Sequence, residues 1–125
     1  MATHQDAKPE EATFEEIQAL IQQDNRAPLV DVREPAEVAL GIIPTAHHIP
    51  LADLKDALVT LSDKAFEDQY GFKRFAKDDE AIFYCRSGRR SRLAFAQAKE
   101  LGYTHVRHYP GSWIEWEART KDPSN

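Results

Sequence analysis

Apolar residues along this chain follow two spacings, one typical of helices and one typical of buried strands. The first helical stretch begins at Thr13 and Glu16, whose spacing is that of a capping box. Leucines at 51, 54, 58 and 61 then form one stripe of an amphipathic helix. Further helices are predicted over 34–41, 63–70, 91–102 and 111–120.

Short apolar runs rich in β-branched or aromatic residues predict strands over 27–32, 46–50, 81–85 and 104–109, and residues 71–80 are predicted to be a polar connection. Alternating strands and helices predict an α/β domain, with a central, mostly parallel sheet flanked by helices. In such sheets ligands bind beyond the carboxyl ends of the strands. Asp31 and Cys85 close two of the strands, so we expect them to lie near each other.

Composition and length are those of one soluble globular domain, with 125 residues, 42% of them hydrophobic and 30% charged. Residues 1–12 lack apolar periodicity and are predicted to be a flexible tail. The domain is expected over 13–120, followed by a C-terminal tail at 121–125. We expect a monomer or a weak homodimer.

The net charge of -5 argues against nucleic-acid or anionic-membrane partners, because both would repel the chain. No apolar run approaches the roughly 20 residues that cross a bilayer. The polar, acidic start is unlike a secretory or transit peptide. A cytoplasmic location is expected, with the mitochondrial matrix as the alternative.

Chemistry is indicated at "YCRSGRRS" (84–91), which contains the only cysteine, Cys85. A strand, a turn at Gly88 and a helix would bring backbone N–H groups and the helix dipole to one point. A thiolate there is stabilised, and its pKa should fall from about 8.5 toward roughly 3.5–7.5. The alternative to a reactive site is an ordinary turn between a strand and a helix, in which the arginines are solvated and the thiol is buried and inert. The combination favours a reactive cysteine whose anionic substrate is bound by Arg86, Ser87, Gly88, Arg89, Arg90 and Ser91.

Loop length separates two classes of cysteine enzyme. A phosphatase or arsenate reductase requires C-x5-R, but Ser91 occupies that arginine position. The nearest arginine in register is Arg90, one residue earlier, and the shorter loop suits a single sulfur atom held on the cysteine. Arg92 keeps the phosphatase alternative open.

Three segments, "LVDVREPAE" (29–37), "YCRSGRRS" and "GYTHVRHYPGSWIEW" (102–116), resemble the motifs of single-domain rhodanese-like sulfurtransferases, in the family's order. The resemblance implies that Cys85 takes the outer sulfur of thiosulfate as a persulfide and passes it to a thiol or to cyanide. It implies that Arg86 and Arg90 contact substrate or shape the loop. For Asp31 and Arg33 it implies structural ion pairing.

Some positions depart from the family pattern: Ile42 stands where histidine is common, and Thr45 where glycine is common. Non-catalytic members of the family commonly lack the cysteine, so Cys85 argues against a module that only binds a partner.

Trp113 is expected to pack in the core or to line the pocket. The adjacent His47 and His48 point to opposite faces of a strand, so neither a metal nor another cofactor is expected.

Overall fold

Four short strands form one sheet: β1 (Leu29–Asp31), β2 (His47–His48), β3 (Ala81–Tyr84) and β4 (Val106–His108). Their order is β2-β1-β3-β4, and every neighbouring pair is parallel. The structure, a computed structural model, describes residues 9–121. The predicted α/β class and parallel sheet are confirmed.

Helices fill the connections between these strands. Along residues 9–121 they are α1 (Phe14–Leu20), α2 (Pro35–Val38), α3 (Leu51–Val59), α4 (Asp63–Tyr70), α5 (Arg89–Glu100) and α6 (Ser112–Thr120). The capping box predicted at the first helix is present: the Thr13 N–H donates to Glu16 Oε1 at 3.0 Å, and the Glu16 N–H donates to Thr13 Oγ1 at 3.1 Å. None of these helices combines the length and the apolar composition that a membrane span requires.

The two central strands are buried on both faces, which is why β3 is a continuous apolar run and β1 is apolar up to Asp31. Phe83 and Cys85 belong to one core cluster together with residues of α3, α4 and α5. Ile82 and Tyr84 belong to the other cluster, with residues of α1 and α6. The domain therefore has three layers, with the sheet in the middle.

Strand register brings the carboxyl ends of the central strands together. Asp31 on β1 pairs with Tyr84 on β3, so Asp31 lies level with the residue before Cys85. On the other side of β3, Phe83 pairs with His108 of β4. The expectation that the charged end of the first strand lies close to the thiol is confirmed.

Two sequence predictions are corrected by the packing. Residues 9–12 are not a loose tail: they run beside β4, where the Ala12 N–H donates to the His108 carbonyl at 2.8 Å and Ala12 is 3% exposed. Residues 1–8 and 122–125 lie outside the described residues. The connection over 71–80 is not wholly polar, because Phe75 is buried against Phe83 and Tyr103.

Thr45 occupies an unfavourable backbone conformation before β2. Its φ is 74°, in the left-handed region that favours glycine, the residue common at this position in the family. Its hydroxyl oxygen is also buried, and it has no hydrogen-bond partner within residues 9–121. Backbone strain and an unsatisfied hydroxyl therefore coincide at one residue.

We expect Thr45→Gly to stabilise the domain. Relief of the left-handed strain and of the unpaired hydroxyl should outweigh the backbone entropy of glycine, for a net gain of about 1 kcal/mol. Urea unfolding measures the change. Thr45→Ala, which removes the hydroxyl and the methyl group but keeps a Cβ in the left-handed conformation, should gain less, and a glycine variant less stable than the parent would contradict the strain.

Candidate active site

The cysteine loop is shaped by Gly88, which lies between β3 and α5. Gly88 has a φ of 99° and forms the N-cap of α5. A Cβ atom at this position would lie 2.6 Å from the Pro110 carbonyl oxygen, in the loop after β4. Glycine is therefore required both by the backbone angle and by the space available.

The Cys85 sulfur accepts two backbone hydrogen bonds from its own loop. The Gly88 N–H lies 3.1 Å from Sγ, and the Ser91 N–H lies 3.3 Å from it. Burial alone would raise the pKa of the thiol, but the Ser91 N–H and hydroxyl, the Gly88 N–H and the Ser112 hydroxyl lower it, and the net pKa lies below the ordinary value. The arrangement favours a thiolate.

More donors line the same loop. Among residues 9–121, no protein acceptor is hydrogen-bonded to the backbone N–H groups of Arg86, Ser87, Arg89 and Arg90. Together with the N-terminus of the twelve-residue helix α5, these N–H groups give the loop a positive potential next to Cys85. The loop can thus receive an anion as well as stabilise a thiolate.

The three loop arginines differ in their surroundings. Arg86 and Arg89 are exposed and make no ion pair within the described residues. Arg90 is partly buried, and its Nη1 and Nη2 donate to the two carboxylate oxygens of Glu37 at 2.6 and 2.9 Å. The sequence predicted that Arg90 contacts substrate; in this structure its guanidinium contacts Glu37.

Glu37 is held from two directions. Its Oε1 also accepts the Glu34 N–H at 2.9 Å, which is half of the capping box of α2. Its hydrogen bonds to Arg90, helped by the Glu34 N–H, lower the pKa of Glu37 to about 2, against the opposing effect of burial. The side chain is therefore a fixed negative charge beside the loop.

Asp31 and Arg33 form the ion pair that the resemblance implied. Arg33 Nη2 lies 2.6 Å from Asp31 Oδ2, and the two side chains are 2% and 0% exposed. Arg33 also donates to the Gly41 carbonyl at 2.7 Å. The pair ties the end of β1 to the segment that follows α2, the helix that carries Glu37.

Trp113 covers this ion pair. Its ring centre lies 4.9 Å from the Arg33 guanidinium carbon, and its ring abuts Gly41, where a Cβ would come within 2.8 Å of it. Its backbone N–H donates to the Cys85 carbonyl at 2.9 Å. Trp113 thus supports the loop; that it lines the pocket stays a prediction.

Ser91 and Ser112 both lie next to the Cys85 sulfur. Ser91 is fully buried, and its hydroxyl donates to the Gly88 carbonyl at 3.1 Å. The Ser112 hydroxyl accepts the Cys85 N–H at 3.1 Å, donates to the Tyr109 carbonyl at 2.8 Å and lies 3.9 Å from Sγ. In this structure the Ser91 hydroxyl therefore faces the protein; its contact with substrate stays a prediction.

Sequence reasoning missed Ser112 and Glu37 as individual residues. Ser112 lies inside the closing motif, but its φ of 56° and its hydrogen bond to Cys85 depend on a contact 27 residues away. Glu37 follows Glu34 at the spacing of a capping box. That spacing indicates where a helix starts, but it does not indicate that Arg90 is the partner of Glu37. Within residues 9–121 no group of three or more possible ligands is arranged to hold a metal ion.

Comparisons with known proteins agree with this geometry. A family model described as "Rhodanese-like domain" matches residues 13–119. A thiosulfate:glutathione sulfurtransferase of Homo sapiens is 38% identical over 102 residues, 81% of this chain and 87% of that protein. A mitochondrial thiosulfate sulfurtransferase of Saccharomyces cerevisiae is 38% identical over 112 residues, 89% of this chain and 74% of that protein.

A solved structure is similar as well. The fold matches that of a human single-domain sulfurtransferase with a TM-score of 0.83 and 34% identity, covering 92% of this chain and all of that one. The family resemblance stated from the three sequence motifs is confirmed.

Alkylation should reveal the lowered pKa of Cys85. Because the loop donors stabilise the thiolate, the pH midpoint of the reaction with iodoacetamide should lie below that of a free thiol, about 8.5. The same protein in urea should return to the free value, and Ser112→Ala should raise the midpoint of the folded protein. A folded midpoint at or above the unfolded one would show that burial dominates.

Proposed function

The chain belongs to the rhodanese-like family, and from that premise we propose that it is a thiosulfate sulfurtransferase that carries sulfur on Cys85. The observation that supports this most directly is the pair of N–H groups, from Gly88 and Ser91, directed at Sγ. They favour the thiolate, which is the nucleophilic form of cysteine. The names of the human and yeast relatives supply the substrate class.

In the first step the Cys85 thiolate attacks the outer sulfur of thiosulfate. A bond forms between Sγ and that sulfur, the sulfur–sulfur bond of thiosulfate breaks, and sulfite leaves with its electron pair. The product is a Cys85 persulfide anion, which the loop N–H groups stabilise as they stabilise the thiolate. No proton, oxidant or metal ion is needed for this exchange.

In the second step an acceptor thiolate, or cyanide, attacks the outer sulfur of the persulfide and leaves Cys85 as the thiolate. The chain has a single cysteine, so the acceptor must be another molecule. Glutathione appears in the name of the human relative, and we propose a thiol of that kind here. Two steps through a covalent intermediate require ping-pong kinetics.

The donor's sulfonate end is assigned to the unpaired loop N–H groups and to Arg86, with Arg90 contributing charge. Ser87, Gly88, Arg89 and Ser91 shape or line this anion site. A guanidinium suits a tetrahedral oxyanion because it donates two parallel hydrogen bonds.

The cytoplasm is proposed as the location, with the mitochondrial matrix, named for the yeast relative, as the alternative. The monomer or weak homodimer expected from the sequence also stays a prediction.

Mass spectrometry tests the intermediate. The reduced protein mixed with thiosulfate alone should gain the mass of one sulfur atom on Cys85, and cyanide or glutathione should remove it. Cys85→Ser should show neither the adduct nor thiocyanate formation.

Phosphate esters and arsenate serve as the matched controls for the other enzyme class. Release of phosphate or reduction of arsenate, with Cys85 unmodified by thiosulfate, would replace the sulfurtransferase by that alternative. A protein inert toward all these substrates would favour a non-catalytic binding module.

Steady-state kinetics test the arginines. Arg86→Leu and Arg90→Leu should each raise the KM for thiosulfate, by about tenfold, because each removes positive charge beside the bound anion. The free energy of unfolding should change by less than about 1 kcal/mol, since the pair formed by Arg90 is partly solvated. Unchanged KM values in both variants would reduce these arginines to surface charge.

A further inference from the structure

We propose that Glu37 is a specificity-determining residue, which limits the affinity of the site for dianionic donors by neutralising Arg90. The inference rests on the proposed function and deepens it, since it concerns which donor charge the same loop favours. It starts from the different surroundings of the loop arginines. Of Arg86, Arg89 and Arg90, only Arg90 has a carboxylate partner among residues 9–121.

Both terminal nitrogens of Arg90 already have a hydrogen-bond partner. Its two terminal nitrogens donate to the two Glu37 oxygens at 2.6 and 2.9 Å, which is the bidentate arrangement that a sulfonate would otherwise use. A donor oxyanion must therefore displace Glu37 or do without these hydrogen bonds. Either case weakens binding relative to a free guanidinium.

Glu37 is well suited to keep that position. Its second contact, with the Glu34 N–H, belongs to the first turn of α2, so the carboxylate does not depend on Arg90 for its place. The side chains of Glu37 and Arg90 are 28% and 29% exposed, so the pair is only partly screened by water. With a pKa of about 2, Glu37 stays charged across the physiological range.

The pair lies beside the loop that holds the sulfur: Arg90 immediately precedes Ser91, whose N–H lies 3.3 Å from Cys85 Sγ. The hydrogen bond to Glu37 is the main cause of the raised pKa of Arg90, and the negative charge of Cys85 acts in the same direction. A full negative charge on Glu37, immediately beyond Arg90, opposes the approach of a second anion to the thiolate.

The charge balance predicts which donors are affected. Repulsion scales with the charge of the donor, so thiosulfate, a dianion, is penalised more than a monoanionic aromatic thiosulfonate. A site with Glu37 therefore discriminates less in favour of thiosulfate than the three loop arginines alone would suggest. Removing the charge of Glu37 should restore that preference.

Glu37→Gln is the central variant, because glutamine keeps the shape and can still accept the Glu34 N–H. We expect the KM for thiosulfate to fall about threefold to tenfold, with kcat within about twofold of the parent. The KM for benzenethiosulfonate should fall less. In the Arg90→Leu background, Glu37→Gln should reverse part of the rise in KM, because the unpaired carboxylate is gone.

Glu100→Gln is the matched control. It removes the same charge at the far end of α5, about 15 Å from Arg90, and Glu100 is exposed. We expect no change in KM there. Equal effects of the two substitutions would assign the effect to net charge and overturn the proposal, as would an unchanged or higher KM in a Glu37→Gln protein with normal urea unfolding.

A second measurement does not need turnover. Sulfate, an unreactive dianion, should protect Cys85 from alkylation at a lower concentration in Glu37→Gln than in the parent. If the parent forms no persulfide with thiosulfate, the proposed function fails, while the sulfate experiment still tests Glu37. If the persulfide forms but sulfate protects both proteins equally, the role of Glu37 is overturned and the proposed function stands.

Discussion

The left-handed turn at Gly88 is the constraint on which the rest of the site depends. It reverses the chain directly after β3, so that the N–H groups of Gly88 and Ser91 both reach the sulfur of Cys85. The turn is pressed against the Pro110 carbonyl, where no side chain fits. A larger residue would lift the loop from its support and move both donors away from Sγ.

The support for that turn combines residues from the end of β1, from the segment after α2 and from the first turn of α6, at the carboxyl ends of the strands. The buried pair of Asp31 and Arg33 has a large desolvation cost, which its multiple hydrogen bonds and the ring of Trp113 offset. Trp113 in turn donates its N–H to the Cys85 carbonyl. What this network provides is a defined position for the loop ends rather than a large net stability.

Backbone dipoles and side-chain charges have separate roles here. The donors to Sγ are the N–H groups of Gly88 and Ser91, with the Ser112 hydroxyl 3.9 Å away, whereas the partly buried arginine of the loop, Arg90, is balanced by Glu37. The thiolate is therefore stabilised by groups whose charge does not depend on pH. The charges of Arg90 and Glu37 instead adjust how strongly an anionic sulfur donor is bound. The chain as a whole, with a net charge of -5, does not attract anions.

The amino-acid sequence determined those features that depend on neighbours along the chain: the alternation of helices and strands, the capping box at Thr13, the turn at Gly88 and the position of Cys85 at a strand end. Only the tertiary structure decided that residues 9–12 pair with β4, that Ser112 bonds Cys85, and that Arg90 meets Glu37, 53 positions away. Local spacing sets a backbone conformation because it acts within a few residues. Partners brought together by strand order and register leave no such periodic signal, so the charge at the active site could not be obtained by counting arginines.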